Sequence, residues 1–500
     1  MTAHLRGTLI EKHSNQVLRR TLVPLCTVIA LLLTGETQAS ERVRFEPYQY
    51  EYQSQHIQAE LGRFVVPEQY DHPNGRKITL AFVLVKSTSP QPGPPVIYLA
   101  GGPGGSAIHL AKGPRGAVFL AMREAGDVIA LEQRGVGGSE PNLDCPGMLG
   151  FPLTSTGERM PLLAFLNKTS RECASYWRTR RVELAAYNVV ESAHDVNSLR
   201  EALGVDKVRL LGSSYGTTLG LTTIRYHGAN IDRAVLAGVE GPDDTLKLPS
   251  TAERQLRTLA KLVADDPTLR HEISDLRALV TRVLTAAEGT PLSVPFTDAK
   301  SKSTEQVTLG RFDLEQLVIG MLGDRAGLER LPRTLLDFDR RRFSSPLVQE
   351  AAAEIVEERT GSIGSAMSFT TDCASGASPE RLARIEQETQ AGMLANLDFP
   401  IPDVCAAWGV PTLPAHDRTP VRSGVPTLFI SGTLDGRTPP GNAEEVRKGF
   451  PHSYHVLIQG GGHGNDLFVS SPEIQPVMVE FMKTGRVVEN RITLSPLRFR

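Results

Sequence analysis

The 500-residue sequence has almost no net charge, with 54 lysines and arginines against 56 aspartates and glutamates. Without a basic excess there is no stripe to neutralise phosphates, which argues against a nucleic-acid partner. Cysteine is scarce: there are five, none in the CxxC or Cys/His spacing of a metal site, and no cofactor signature is read. The longest apolar run, TLVPLCTVIALLLTG, is too short for a comfortable membrane span. There is no internal repeat and no long low-complexity segment. What remains is 40% hydrophobic and 22% charged residues, which exclude a disordered, a collagen-like and a multi-span membrane chain. The chain is globular with a core. At roughly 150 residues per domain its length suggests about three domains, a prior that single α/β enzymes with insertions routinely break.

The apolar run follows Arg19 and Arg20 and precedes Thr37-Gln38-Ala39, a small-residue cleavage site ahead of Ser40. That layout is a secretory signal over residues 1–39, which places the mature chain in the periplasm or outside the cell, without stable membrane insertion. Its removal takes four basic and two acidic residues, for a net charge of −4, and carries Cys26 away. Cys145, Cys173, Cys373 and Cys405 remain. An even number in an exported chain reads as two disulfides, and of three pairings sequence proximity favours Cys145 with Cys173 and Cys373 with Cys405.

From about Leu61 strands and helices alternate. LGRFVVPE and KITLAFVLVKS form a strand pair, PPVIYLAGG reads as a central strand of a buried parallel sheet, and DVIALEQRG, KVRLLGSS and RAVLAGVEG repeat that form. Intervening helical stretches imply right-handed crossovers and a mostly parallel, doubly wound α/β sheet. Near Asp244 the alternation stops, and the chain is helical in pattern to about Pro414. Strands resume with VPTLFISGTLDG and SYHVLIQGGGHG. The expected organisation is a first core part over 40–243, a helical insertion over 244–414 and a C-terminal core part over 415–500.

Gly212-Ser213-Ser214-Tyr215-Gly216 stands at the end of the strand KVRLL and opens a helix. This is the context of a nucleophile elbow, with Ser214 as nucleophile by register. The partners should follow in the order acid, histidine. Asp435 comes just after TLFISG, and His463 lies in the loop GGGHG after YHVLIQ, so both leave the same sheet edge as Ser214. His452 and His455 sit at the start of and inside a strand, Asp466 is the competing acid, and His109, His194 and His227 read as surface or helix residues. In the resulting chemistry Ser214 attacks a carbonyl, His463 carries the proton and Asp435 orients the imidazole. The oxyanion is met by backbone N–H groups of Tyr215, at the helix start, and of Gly102, in Gly101-Gly102-Pro103-Gly104-Gly105. That glycine run lacks the Lys-Ser/Thr ending of a phosphate loop.

GGPGG, LEQRGVGGS, GSSYGT, SGTLDGRTPP and GGHG, in that order, resemble the α/β-hydrolase serine peptidases of the prolyl aminopeptidase and tripeptidyl aminopeptidase group. The segment from Cys373 to Cys405-Ala406-Ala407-Trp408 is similar to the tripeptidyl branch. The resemblance implies an α/β-hydrolase fold interrupted by a helical cap, and an exported exopeptidase that releases short N-terminal units. Two positions depart from the pattern. Ala100 stands where the prolyl enzymes carry His, and Glu132 replaces the usual Asp, which puts in question the hydrogen bonds around Arg134, itself read as a structural salt-bridge residue.

An aminopeptidase must hold an ammonium, for which a carboxylate is the economical partner. Glu240, at the end of RAVLAGV, or a cap acid among Glu354, Glu357 and Glu358 is expected to do so. The substrate is thus a peptide, or a small ester in the alternative reading of a carboxylesterase or lipase-type hydrolase on the same triad, because fold does not fix substrate.

Overall fold

The computed structural model describes residues 43–298, 301–394 and 397–500. The expected signal segment, with Cys26, lies outside these residues. The strands that the sequence marks as nearly all apolar become the parallel centre of a ten-stranded sheet, ordered β1-β2-β3-β5-β4-β6-β7-β10-β11-β12. They are β4 (Gly93–Leu99), β5 (Gly126–Leu131), β6 (Val208–Ser213), β7 (Ile231–Ala237), β10 (Thr427–Gly432) and β11 (Ser453–Gln459). Every residue of β6 and β10 is buried, as helices covering both faces of a sheet require. Leu210, Leu236 and Phe429 pack into the cluster on one face, and Tyr98, Val235 and Ile430 into that on the other.

At one edge β1 (Val43–Tyr52), β2 (Gln55–Pro67) and β3 (Lys77–Val85) run antiparallel, and β3 pairs with β5. The expected strand pair is β2 with β3. The outermost strand, β1, escapes the sequence pattern because VRFEPYQYEY is largely polar, as an edge strand exposed on one side can be. β12 (Arg491–Thr493) closes the other edge beside β11.

Between β7 and β10 the chain leaves the sheet. The helices Pro249–Asp265, Leu276–Gly289, Arg311–Met321, Arg325–Asp339 and Pro346–Thr360 gather around a core of their own that includes Leu256, Leu284, Val318, Leu335 and Ala352. This region also holds a hairpin, β8 (Leu292–Thr297) and β9 (Thr304–Leu309), where the sequence pattern reads as helical. Burial in LSVPFT alternates with period two, and Pro295 would remove a helical hydrogen bond.

A second excursion, between β5 and β6, carries the helix Arg159–Thr179. Its Leu166, Cys173 and Trp177 pack with Met367, Val404 and Trp408 of the larger insertion, so the two excursions share one apolar cluster. Both disulfides lie there: Cys145–Cys173 ties the smaller excursion to itself, and Cys373–Cys405 ties the helix Ala366–Ser375 to the short helix Cys405–Trp408. Closing loops of 28 and 32 residues, each restricts the unfolded chain by about 3 kcal/mol on the chain-entropy account. The described residues form one compact unit.

Arg134, just past β5, is wholly buried. Its Nε and Nη2 donate to the two carboxylate oxygens of Asp195 at 2.7 Å each, and Nη1 donates to the carbonyls of Glu68 and Ala186. A guanidinium so completely satisfied is structural. Removing one partner of a buried pair strands the other, at a cost of about 3–5 kcal/mol. Arg134→Met is therefore expected to lower the unfolding free energy measured by urea titration by that amount, and Arg134→Met with Asp195→Leu by clearly less. Equal losses would show that the pair is not the source.

Candidate active site

The turn from β6 into the helix Tyr215–His227 places Ser214 at φ 54°, ψ −127°, a backbone conformation that non-glycine residues rarely hold. It is over-determined from both sides. The Ser214 N–H donates to the carbonyl of Ala237, and the Ser214 carbonyl accepts from the N–H of Thr217. The neighbouring glycines permit close packing: a β-carbon at Gly216 would stand 2.1 Å from the carbonyl oxygen of Leu99, and one at Gly212 2.5 Å from that of Gly216. The helix behind the turn is buried from Tyr215 through Ile224.

Asp435 and His463 leave the ends of β10 and β11, neighbours in the parallel sheet. The structure brings them to Ser214. His463 Nε2 lies 3.0 Å from Ser214 Oγ, and His463 Nδ1 lies 2.8 Å from Asp435 Oδ2. Asp435 is 4% exposed, and both its oxygens are engaged. Oδ1 accepts from the N–H groups of Arg437 and Thr438, and Oδ2 accepts from the Thr438 hydroxyl at 2.7 Å. Thr438 Oγ1 also lies 3.0 Å from His463 Nδ1, so the hydroxyl touches acid and base together. The sequence reading omits Thr438. The signal was available in the Asp-x-x-Thr spacing of LDGRT, where an aspartate can bond the backbone that follows it.

Asp466, the competing acid, does other work: its Oδ2 accepts from the N–H groups of Gly462 and Arg325 and so braces the histidine loop. His455 bridges Glu444 and Ser431, a second array of serine, histidine and acid, but Ser431 is fully buried. His194 and His227 face each other at 2.8 Å, His109 sits on the helix Ala107–Lys112, and His452 lies outside the strand.

The glycine run follows β4, whose Leu99 pairs with Gly212. Gly102 has φ +124°, a conformation suited to glycine, and a β-carbon on Gly101 would stand 2.9 Å from that of Ser214. This backbone borders Ser214, as does the N-terminal end of the helix that begins at Tyr215. Glu132 supports it: Oε1 accepts from the hydroxyl of Ser106 at 2.6 Å and from the N–H of Ile108 at 3.0 Å, at the start of the next helix. Gln133 Nε2 donates to the carbonyl of Ala100. The side chain of Glu132 thus points away from Arg134, whose bonds are complete without it. Burial pushes the Glu132 carboxyl above its ordinary range.

A cavity of about 290 Å³ opens at Gly102. Lys247, Glu358, Asp372, Asp398 and Arg437 line it. Glu240 is buried behind it and forms an ion pair with Lys247 at 2.8 Å, while its backbone is held by Thr217 and Thr218 on the helix after the nucleophile. Glu240 is therefore already matched by a cation. Of the cap acids, Glu354 faces Arg330, Glu357 is exposed and does not line the cavity, and Glu358 does line it. Asp372 and Asp398 are not anticipated by the sequence reading, since each lies in a segment without motif.

Four carboxylates, Glu240, Glu358, Asp372 and Asp398, stand against two cations in and behind the cavity. Burial raises the Asp372 carboxyl well above its usual range, opposed by Lys247 and reinforced by Glu240 and Asp398. Burial raises Asp398 and Glu240 as well. Burial alone would lower the Lys247 ammonium, but Glu240 and Asp398 outweigh it and raise it. Among the described residues no group of three or more histidine, cysteine or carboxylate side chains is arranged to hold a metal, and no helix is long and apolar enough to cross a membrane.

The chain is 24% identical to a tripeptidyl aminopeptidase of Streptomyces lividans over 87% of this chain and 84% of that one. It is 29% identical to the serine protease Hip1 of Mycobacterium tuberculosis, over 36% of each chain, so the match spans about a third of that relative's length. A thermophilic esterase from Thermogutta terrifontis aligns over 85% of this chain and 98% of that one, at 16% identity and a TM-score of 0.36. A family model described as the alpha/beta hydrolase fold matches residues 94–465, from β4 to just past His463. The chain belongs to the α/β-hydrolase family.

Proposed function

We propose that this protein is an exported serine aminopeptidase that releases short N-terminal units from oligopeptides through an acyl-enzyme. The observation that carries this reading is the unbroken contact from Ser214 through His463 to Asp435 beside a cavity with more acidic than basic side chains. His463 Nε2 accepts the Ser214 proton as Oγ attacks the scissile carbonyl, and returns it to the leaving amine; water then repeats the sequence on the ester. Asp435, fixed by four hydrogen bonds, holds the imidazole in the tautomer with Nδ1–H and stabilises the imidazolium. The N–H groups of Gly102 and Tyr215 stabilise the oxyanion, being fixed before reaction.

The cavity supplies the amine site. A substrate ammonium placed among Asp372, Asp398 and Glu358 offsets carboxylates that Lys247 and Arg437 leave in excess. Glu240 acts one step behind, by holding Lys247. The insertion over 244–414 serves as the cap, because it contributes each of these groups except Glu240 and Arg437. The names of the Streptomyces and Mycobacterium relatives, an aminopeptidase and a serine protease, support the same chemistry. Export is supported by the two disulfides, which persist in oxidising compartments.

Ser214→Ala is expected to lower turnover by about 10⁴- to 10⁶-fold with an unchanged circular dichroism spectrum, as nucleophile knockouts do; near-normal turnover would remove the reading. Thr438→Val deletes a hydrogen bond to a charged acceptor, which is worth about 1.5–3 kcal/mol. It should lower kcat by about 10- to 100-fold with little change in KM, measured on one peptide substrate.

Amine binding has its own signature. Asp372→Asn is expected to raise KM for free-amine peptides by about 10-fold or more and to leave N-acetylated peptides and esters unaffected. Because the folded Asp372 carboxyl titrates above the ordinary aspartate value, acidification neutralises it earlier than an exposed acid. KM for free-amine peptides should therefore rise as pH falls towards the ordinary aspartate range, before exposed acids titrate, and KM for N-acetylated analogues should not. Equal turnover of blocked and free-amine substrates, or rapid turnover of esters alone, would favour the carboxylesterase reading.

A further inference from the structure

Beyond the acidic cavity lies a second one of similar size, about 290 Å³, that the catalytic contacts do not use. Its lining is largely apolar and comes from both excursions: Leu162 and Leu166 from the helix Arg159–Thr179, and Phe312, Ile355, Ile363 and Phe369 from the larger insertion. The two cavities meet at Gln316, Glu358 and Phe399, which line both. Gly102 borders only the acidic one. Along this path a ligand thus meets the reacting carbonyl's site first, the carboxylates next and the apolar chamber last.

We propose that the apolar chamber receives the side chain of the substrate's N-terminal residue and makes the enzyme selective for a large apolar or aromatic residue there. The inference rests on the aminopeptidase reading, because it is the ammonium that fixes which side chain lies nearest the junction. With the amine among Asp372, Asp398 and Glu358, the group attached one carbon away is the side chain of the first residue, and the junction at Glu358 and Phe399 is its way out. Phe312 and Phe399 stand edge to face at 4.9 Å, and Phe369 stacks on Trp408 at 5.0 Å, so the walls already use the ring geometries that an aromatic guest would extend. Gln316 adds a polar element at the junction: its Nε2 has no hydrogen-bond partner among the described residues, and a peptide carbonyl of the released unit would give it one.

The charged groups near the chamber do not make it polar in effect. Arg359 pairs with Asp313 at 2.6 Å, and Asp313 also accepts from the N–H groups of Gly157 and Gly310. Asp313 is consumed by the fold, and Arg359 is held by that ion pair and by Nη1 donating to the carbonyls of Ser155 and Thr308, while its buried Nε has no hydrogen-bond partner among the described residues. Glu358 stays open at the junction, where it faces the amine rather than the apolar side chain.

The test is a series of free-amine peptides on the full mature chain, identical except for an N-terminal Phe, Leu, Ala, Gly or Asp, read as kcat/KM. Filling a hydrophobic pocket discriminates by about 10- to 200-fold per increment of size, so Phe and Leu should exceed Gly by at least 10-fold and Asp should be poorest. Leu162→Trp, at a partly exposed wall, should fill the chamber and bring the ratio of kcat/KM for the Phe peptide over the Gly peptide close to one; Ile363→Trp is the second such variant. A flat series, or a preference confined to another position of the peptide, would overturn the inference and leave the aminopeptidase reading standing. Failure to turn over any free-amine peptide would overturn both.

Discussion

The backbone contact between the end of β4 and the start of the helix after β6 is the constraint on which the site depends. Gly216 comes so near the carbonyl of Leu99 that no side chain fits between them, and Gly101 comes as near to Ser214. That approach is what puts the nucleophile, the helix N-terminus and the glycine run within one small volume. It also explains the unusual backbone of Ser214: the strand must stop and the helix must begin within a single residue, and the hydrogen bonds to Ala237 and Thr217 hold the conformation. Parallel pairing then brings the loops after β10 and β11 to the same edge, and the proton path follows from sheet topology.

Buried charge is handled in two opposite ways. Around Arg134 each donor has its acceptor, and the network is inert, a fastening between the helix Val189–Ala202, the loop after β5 and the end of β2. In the cavity at Gly102 the accounts are left open, with more acidic than basic side chains along its lining. An unbalanced cluster is costly to the fold. Its persistence beside a nucleophile is the reason to assign it to a cationic ligand.

One disulfide stands close to that cluster. Cys373 follows Asp372 directly, and its bond to Cys405 fixes the helix that also reaches the glycine run through Ser368, whose hydroxyl donates to the carbonyl of Pro103. The same helix thus carries one wall of the acidic cavity and a contact to the glycine run that borders Ser214. Asp466 performs a related service for the histidine loop, through the N–H of Arg325, and the His463 N–H donates to the carbonyl of Gly323. The insertion is therefore fastened to both halves of the catalytic apparatus.

What the sequence by itself determined is local or periodic. Buried strands announce themselves as short apolar runs, a nucleophile turn needs glycines at fixed offsets, and Asp435 and His463 sit directly after strands, so the parallel sheet and the three residues at its edge were legible. The edge strand β1 and the hairpin β8–β9 were not, since their period-two pattern is diluted by polar residues and by proline. Thr438 was legible only as a turn residue. The acidic cavity proposed to hold the amine was decided by tertiary structure alone. Glu240 looks free at its strand end and is taken by Lys247, seven residues on, while Asp372 and Asp398 come together from separate segments of the insertion. Charge balance in a cavity is a sum over groups that are distant in the chain, and only the folded packing performs that sum.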